Sequence, residues 1–229
     1  MIREFTLPDA LSLADLQVFL ARAQRVDDGV VRLVGAGSIL AAYVGVLHPA
    51  GLLDAGPTVL GLRTYGLAAP TAIDVVVGLG PLLERIAALQ QASTDATAPV
   101  TVPLPPDSRS AAWAAISPPR SGWAPAGHAD KRVLERSARA GIDEIAEAVP
   151  TGTGEQIVHR VRNEVWGRPV EGVDHVPAGG AFAALSLGFL ASSGERPAVD
   201  PTVYIAGQWT RLSTDRGHVL IKRRSGSGL

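Results

Sequence analysis

Residues 98–106 read Ala-Pro-Val-Thr-Val-Pro-Leu-Pro-Pro. A run this rich in proline supports neither a helix interior nor a central strand, because proline lacks the amide that both need. It divides the chain into residues 1–106 and 107–229. With 229 residues in all, each half is long enough to bury a core of its own.

The first half reads as sheet plus helix. Arg3–Leu7 alternates as a strand. Ser12 caps a helix, with Asp15 three residues on, and Leu13, Leu16, Phe19, Leu20 and Ala23 share one face. Four apolar runs follow as strands, Val30–Val34, Ser38–Leu47, Thr58–Leu67 and Ala72–Val77. Pro81 then opens a helix with Leu82, Leu83, Ile86 and Leu89 inward. Val100–Leu104 has the proline flanks of an edge strand.

The second half reads as mainly helical. Asp130 caps a helix that Pro150 ends. Thr153 and Gln156 form a capping box for the next, and Ala178–Ala191 is apolar enough for a buried helix. Thr202–Ala206, Gln208–Ser213 and Val219–Lys222 close the chain as a three-strand meander. The expected fold class is therefore α+β, with an N-terminal antiparallel sheet carrying two helices over 1–106. A C-terminal helical domain with a small terminal sheet follows over 107–229. Leu16, Leu20, Ile145, Val161 and Phe182 are expected in the core. No internal repeat is visible in the sequence.

Chemistry is sparse. The absence of cysteine excludes disulfides, thiolate nucleophiles and cysteine-held metals. The N-terminus lacks a signal-peptide core and no run is long enough to span a bilayer. A cytoplasmic protein without membrane contact is expected. Gly35-Ala36-Gly37 is placed like a dinucleotide-binding turn, with Asp54 near the spacing of a ribose-binding carboxylate. Leu40 stands where the third glycine belongs, and Tyr43-Val44-Gly45-Val46 favours a strand, so a hairpin turn is the better reading. Thr151-Gly152-Thr153-Gly154 opens a helix and could hold an anion, but a capped connection explains it equally. His48, His128, His159, His175 and His218 never pair at metal-binding spacing. There is no nucleophile elbow, and Asp143, Glu144 and Glu147 read as a solvated helix face. No catalytic, cofactor-binding or metal residues are assigned.

Two stretches combine aromatic and basic residues. Trp113, Arg120 and Trp123 flank a Ser-Pro-Pro-Arg loop, and His159, Arg160, Arg162 and Arg168 surround Trp166. Trp113, Arg120, Trp123, His159, Arg160, Arg162 and Arg168 form the candidate interaction surface. Nucleic acid is an unlikely partner on this reading. The net charge is −1, and residues 1–106 carry six basic against nine acidic residues. Arg211, Arg216, Lys222, Arg223 and Arg224 give the C-terminal stretch a local excess, which suits weak, salt-sensitive binding at most.

The segments Ala10–Leu16, Trp113–Arg120, Asn163–Pro169 and Trp209–Ser213 resemble an uncharacterised protein family of high-GC bacteria with no assigned activity, which implies no site residues. The order strand, helix, four strands, helix over residues 3–90 is also similar to one module of a sliding clamp. That similarity is one of element order and implies a clamp-like N-terminal domain. The expected function is a non-catalytic interaction or regulatory protein acting through an unknown protein partner or self-association, without a cofactor. The alternatives are a small-molecule-binding protein or enzyme with a site between the halves, and a nucleic-acid-associated protein.

Overall fold

A computed structural model describes residues 4–27, 29–49, 54, 56–106, 109–150, 153–191 and 199–223. Among the described residues, ten strands and five helices follow one another as β1 (Glu4–Leu7), α1 (Ala10–Val26), β2 (Val30–Ala36), β3 (Ile39–Leu47), β4 (Thr58–Gly66), β5 (Ile73–Gly78), α2 (Leu79–Ala92), β6 (Val100–Pro103), β7 (Ala124–His128), α3 (Lys131–Ala148), α4 (Glu155–Gly167), α5 (Ala178–Ser186), β8 (Thr202–Ala206), β9 (Trp209–Thr214) and β10 (Gly217–Lys222). A 3-10 turn lies at Ala112–Ala115. Eight strands are hydrogen-bonded in the order β5-β2-β3-β4-β10-β9-β8-β7, and β1 and β6 pair separately.

The chain forms two compact units. The first comprises residues 1–45 and 62–116, the second residues 46–61 and 117–229, so the division runs through β3 and β4.

In the first unit, β2 pairs antiparallel with both β3 and β5. The two-residue turn Gly37-Ser38 joins β2 to β3, and Gly37 has a φ of 61°. Its positive φ is what such a turn demands of its first residue. Leu33, Leu40, Ala42 and Val44 are buried with Leu13, Leu16, Phe19 and Leu20 of α1 and Leu79, Leu82 and Ile86 of α2. Arg32 grips Asp74 with two hydrogen bonds of 2.8 and 2.7 Å and donates a third to the Ala114 carbonyl at 2.8 Å, tying the 3-10 turn to β2 and β5. Arg63 donates to Asp15 at 2.6 Å.

In the second unit, β7, β8, β9 and β10 pair antiparallel in sequence, with a bulge in β7 between Pro125 and Gly127. Leu134, Ala138 and Gly141 form the buried face of α3. A Cβ on Gly141 would collide with the indole of Trp166, which stacks on Phe182 at 4.4 Å between ring centroids. Leu16 and Leu20 are fully buried, whereas Ile145, Val161 and Phe182 are half-buried and pack against Val165, Trp166 and Ala178.

The expected architecture is corrected in its second half. The C-terminal strands are not a small sheet closing a helical domain. They belong to the eight-stranded sheet through β10 beside β4. The physical reason lies in β7. Ala-Pro-Ala-Gly-His alternates nothing, and every residue is exposed. Gly127 also sits at a φ of 118°, so the segment reads as loop. Proline and a bulge are what blunt a sheet edge. Three local readings also shift. Asp9, not Ser12, caps α1, accepting from the Ser12 amide at 2.7 Å. Gly154 caps α4, while the Thr153 hydroxyl donates to the Pro150 carbonyl instead of closing a capping box. The helix expected over 178–191 ends at Ser186. A recurrence invisible in the sequence emerges in the elements. Strand, helix and three strands open the chain as β1-α1-β2-β3-β4. They close it as β7-α3-β8-β9-β10, with α4 and α5 inserted after α3.

Gly45 supplies a sharp test of packing. A Cβ there would stand 2.6 Å from Nε1 and 2.9 Å from Cδ1 of Trp113, whose ring is buried. Gly45→Ala should therefore destabilise the protein by about 1–3 kcal/mol through overpacking. Denaturant unfolding should show a lower midpoint, and an unchanged or raised midpoint contradicts the packing.

Candidate functional site

The face of α3 opposite its buried side is the most ordered array of charge in the chain. Leu134, Ala138 and Gly141 point inward, so Arg132, Arg136 and Arg139, displaced by half a turn, point out and are exposed. At a rise of about 1.5 Å per residue the three span roughly 10 Å along the helix. None of the three has an ion-pair partner among the described residues. The same face continues into Asp143 and Glu147, so the helix is basic in its first half and acidic in its second. At its two ends, where Arg132 and Glu147 sit, this arrangement opposes the helix dipole, which favours acids in the first turn and bases in the last. Helix stability therefore does not explain it. Asp130 counters part of the cost, accepting from the amides of Arg132 at 2.7 Å and Val133 at 3.1 Å. Asp200 accepts from the Lys131 amide at 3.1 Å.

The residues singled out from the sequence fall into separate places. Trp113 is buried against Gly45 in the first unit. The others belong to the second. Arg160 is exposed and Arg162 half-buried on α4. Arg168, just past α4, is held by Glu144 at 2.7 Å and Glu164 at 3.2 Å, and those hydrogen bonds raise its pKa. His159 turns toward Asp54, with Nε2 3.6 Å from Oδ2. Asn163 donates to Asp54 at 2.7 Å and lies 3.1 Å from Nδ1 of His159. That constellation closes a polar contact between α4 and residue 54. The Gly37 turn leads into a strand and offers no helix N-terminus. Thr151 and Gly152 lie outside the described residues. Among the described residues no group of three histidines and carboxylates is arranged to hold a metal.

Arg120 is exposed in the loop before β7. Trp123 from the same loop is anchored by its Nε1, which donates to the Pro119 carbonyl at 3.0 Å. Its ring meets Arg211, which the sequence placed in the basic C-terminal stretch and not in the candidate interaction surface. The guanidinium carbon of Arg211 lies 4.7 Å from the Trp123 ring centre and 4.5 Å from that of Tyr204. Tyr204 and Arg211 stand opposite each other across β8 and β9. Burial pushes the Arg211 pKa down from its ordinary value, and Nε is buried without a hydrogen-bond partner. On β10, His218 shares a 3.0 Å contact with the Ser213 hydroxyl. Burial, and then the Arg211 charge, hold its pKa below 6.5. The signal for Arg211 was the period of two along β8 and β9, which becomes legible only with the register.

With that geometry established, the comparisons with known proteins are specific about fold. Residues 1–105 match a domain of unknown function, DUF8010, and residues 118–226 match another, DUF8185. This agrees with the resemblance to a family without assigned activity. No curated protein matches the sequence. The Caulobacter crescentus beta sliding clamp superimposes with a TM-score of 0.50 at 14% identity, over 99% of this chain and 66% of that one. Caulobacter crescentus pol III beta gives 0.51 at 14% identity over 98% and 66%. A protein described as a DNA polymerase III beta subunit, from Eubacterium rectale, gives 0.51 at 8% identity over 99% and 66%. The chain thus has a clamp-like fold and spans just under two thirds of the length of those proteins. The likeness extends over both halves, where the sequence suggested it only for the first. It also overturns the expectation that nucleic acid is an unlikely partner. That expectation rested on net charge and an acidic first half. The charge proves to be segregated along α3, on the fold of a DNA polymerase sliding clamp. No helix among the described residues is long and apolar enough to cross a membrane.

The depressed pKa of His218 sets a pH dependence. Above about 6.5 the imidazole is neutral in both folded and unfolded chains. Below that value the unfolded chain takes up a proton that the folded protein resists, so stability falls as pH falls. Thermal unfolding from pH 7.5 to 5 should show a loss that is smaller in His218→Gln. Identical pH profiles for the two proteins contradict the assignment.

Proposed function

We propose that the protein is a clamp-like, nucleic-acid-associated protein that meets duplex DNA through the outer face of α3. The observation that carries this reading is the set Arg132, Arg136 and Arg139, exposed and without ion-pair partners among the described residues, with Arg132 in the first turn, where the helix dipole disfavours a cation. Phosphates are the complement such a row lacks, and arginine binds them with paired hydrogen bonds. The clamp-like fold supports the choice of polymer over a small anion, since solved relatives of the fold are described as DNA polymerase sliding clamps. This takes the nucleic-acid reading ahead of a stand-alone regulatory protein and ahead of an enzyme. It carries with it a cytoplasmic location.

Contacts of this kind read the backbone and not the bases, so binding should be independent of sequence and sensitive to salt. Anisotropy titrations with a fluorescent duplex at several salt concentrations test it. The wild type should bind with a linear log–log salt dependence. Replacing Arg132, Arg136 and Arg139 by alanine together should flatten the slope by about 2.7, which is roughly 0.9 for each lost phosphate contact. Replacing Asp143 by Asn and Glu147 by Gln at the acidic end of the face should tighten binding. A triple variant with unaltered affinity and slope removes α3 from the interface.

A further inference from the structure

The outer face of α3 carries acids as well as bases. Arg132, Arg136, Arg139, Asp143 and Glu147 follow one another along a single stripe, and all are exposed. None of them has an ion-pair partner among the described residues. Arg139 and Asp143 stand one turn apart and still do not pair. Charge of both signs is therefore left uncompensated on one helix face.

The order of the signs is its own complement. Read from the other end, the stripe runs acid, acid, base, base, base. A second copy of α3 laid antiparallel sets Arg132 opposite the partner's Glu147 and Arg136 opposite the partner's Asp143. Both pairs are centred on one two-fold axis between residues 139 and 140, so they recur on its other side. The register is specific. A slip of one turn that sets Arg132 opposite the partner's Asp143 brings Arg136 against the partner's Arg139, and parallel helices set arginine on arginine. Like charge meets only at Arg139 beside the axis, one turn from Asp143. Ala140, exposed on the other side of that axis, is small enough to let the helices approach.

The dipoles act in the same sense. In an antiparallel pair the first turn of one helix lies beside the last turn of the other. Arg132, disfavoured by the dipole of its own helix, then stands next to the negative end of the partner's helix, and Glu147 next to the positive end.

We propose that the outer face of α3 is a self-docking surface, through which two copies of the chain pair by antiparallel α3 helices and cover the arginine row when no nucleic acid is bound. The pairing needs nothing from the DNA reading. Its role as a brake rests on that reading, because a duplex and a second copy compete for the same guanidinium groups. Exposed ion pairs are weak and one helix face is small. The dimer should therefore form with a dissociation constant on the order of 0.1–1 mM and dissolve as salt rises.

The chain has no cysteine, so single introduced cysteines report the pairing of the full chain without background. Ala140→Cys places two thiols beside the axis, within reach of a disulfide, and should cross-link under mild oxidation. Ala146→Cys, equally exposed, places them about 20 Å apart and should not. Sedimentation equilibrium should show a mass that rises toward that of a dimer with protein concentration at low salt. Arg132→Glu with Arg136→Glu should weaken self-association by about tenfold or more, and so should Asp143→Arg with Glu147→Arg. An equimolar mixture of the two variants should recover the pairing, since each face then meets its complement. Unfolding midpoints should stay near that of the wild type, which separates lost pairing from lost folding. A chain that remains monomeric at every concentration overturns the proposal, as does a cross-link at Ala146→Cys in place of Ala140→Cys. Duplex DNA should suppress the Ala140→Cys cross-link, and a cross-link that bound DNA leaves unchanged overturns the brake. DNA binding by a chain that never pairs defeats this proposal alone, and pairing without DNA binding defeats the DNA reading alone.

Discussion

The helices of the second unit depend on one close approach. The Trp166 indole of α4 lies against Gly141 of α3, where a side chain would collide with it. Its carbonyl and Cβ lie 3.0 and 3.2 Å from where a Cβ on Gly179 of α5 would stand. Phe182, one turn along α5, stacks on the ring. Gly141 makes the room that the indole fills, and Gly179 the room for Leu47 and for the Trp166 carbonyl and Cβ. Because Gly141 lies on the buried stripe with Leu134 and Ala138, this contact also fixes the rotation of α3 about its own axis. The direction in which Arg132, Arg136 and Arg139 face is a consequence of a packing contact on the far side of the helix.

Charge in this chain is informative by pairing and not by total. The net value of −1 conceals arginines of two kinds. Arg32, Arg63 and Arg168 hold elements together through carboxylates, and their charge is spent inside the fold. Arg132, Arg136, Arg139 and Arg211 have no such partner among the described residues. Nearly all the basic residues are arginine, which makes every one of them look alike in the sequence. Only the partner separates a fastener from a contact surface.

The strands from residue 30 to 78 were legible because period-two apolar runs, broken by Gly37 and by the segment after Leu47, leave the backbone few other choices. Asp130 was legible as a cap for the same local reason. The larger sheet was not. Its joining strand pair sets β10 beside β4, some 150 residues apart, and its last strand, β7, lacks any apolar alternation. The first four residues of β4 are all buried, a continuous run that marks a strand covered on both faces and not one lying at a sheet margin. The α3 row was present in the sequence as arginines at i, i+4 and i+7. Arginines opposite an apolar helix face look like ordinary solvated charge until their lack of partners is visible. Arg211 was out of reach, since Trp123 and Tyr204 meet it only through strand register.

Dipole and charge oppose each other at the start of α3. Each cation in the first turn of a helix costs about 0.3–1 kcal/mol at an exposed position. Two carboxylates stand there, Asp130 and Asp200, but both are engaged by backbone amides. They neutralise the helix end and leave Arg132 without a side-chain acid. The acids that could have paired with the arginine row, Asp143 and Glu147, sit farther along the same face, and Glu144 is taken by Arg168. A helix shaped for stability alone would exchange Arg132 and Glu147, the charges in its end turns. The order observed keeps three guanidinium groups available at the surface, which is the condition that binding a polyanion requires and that folding does not.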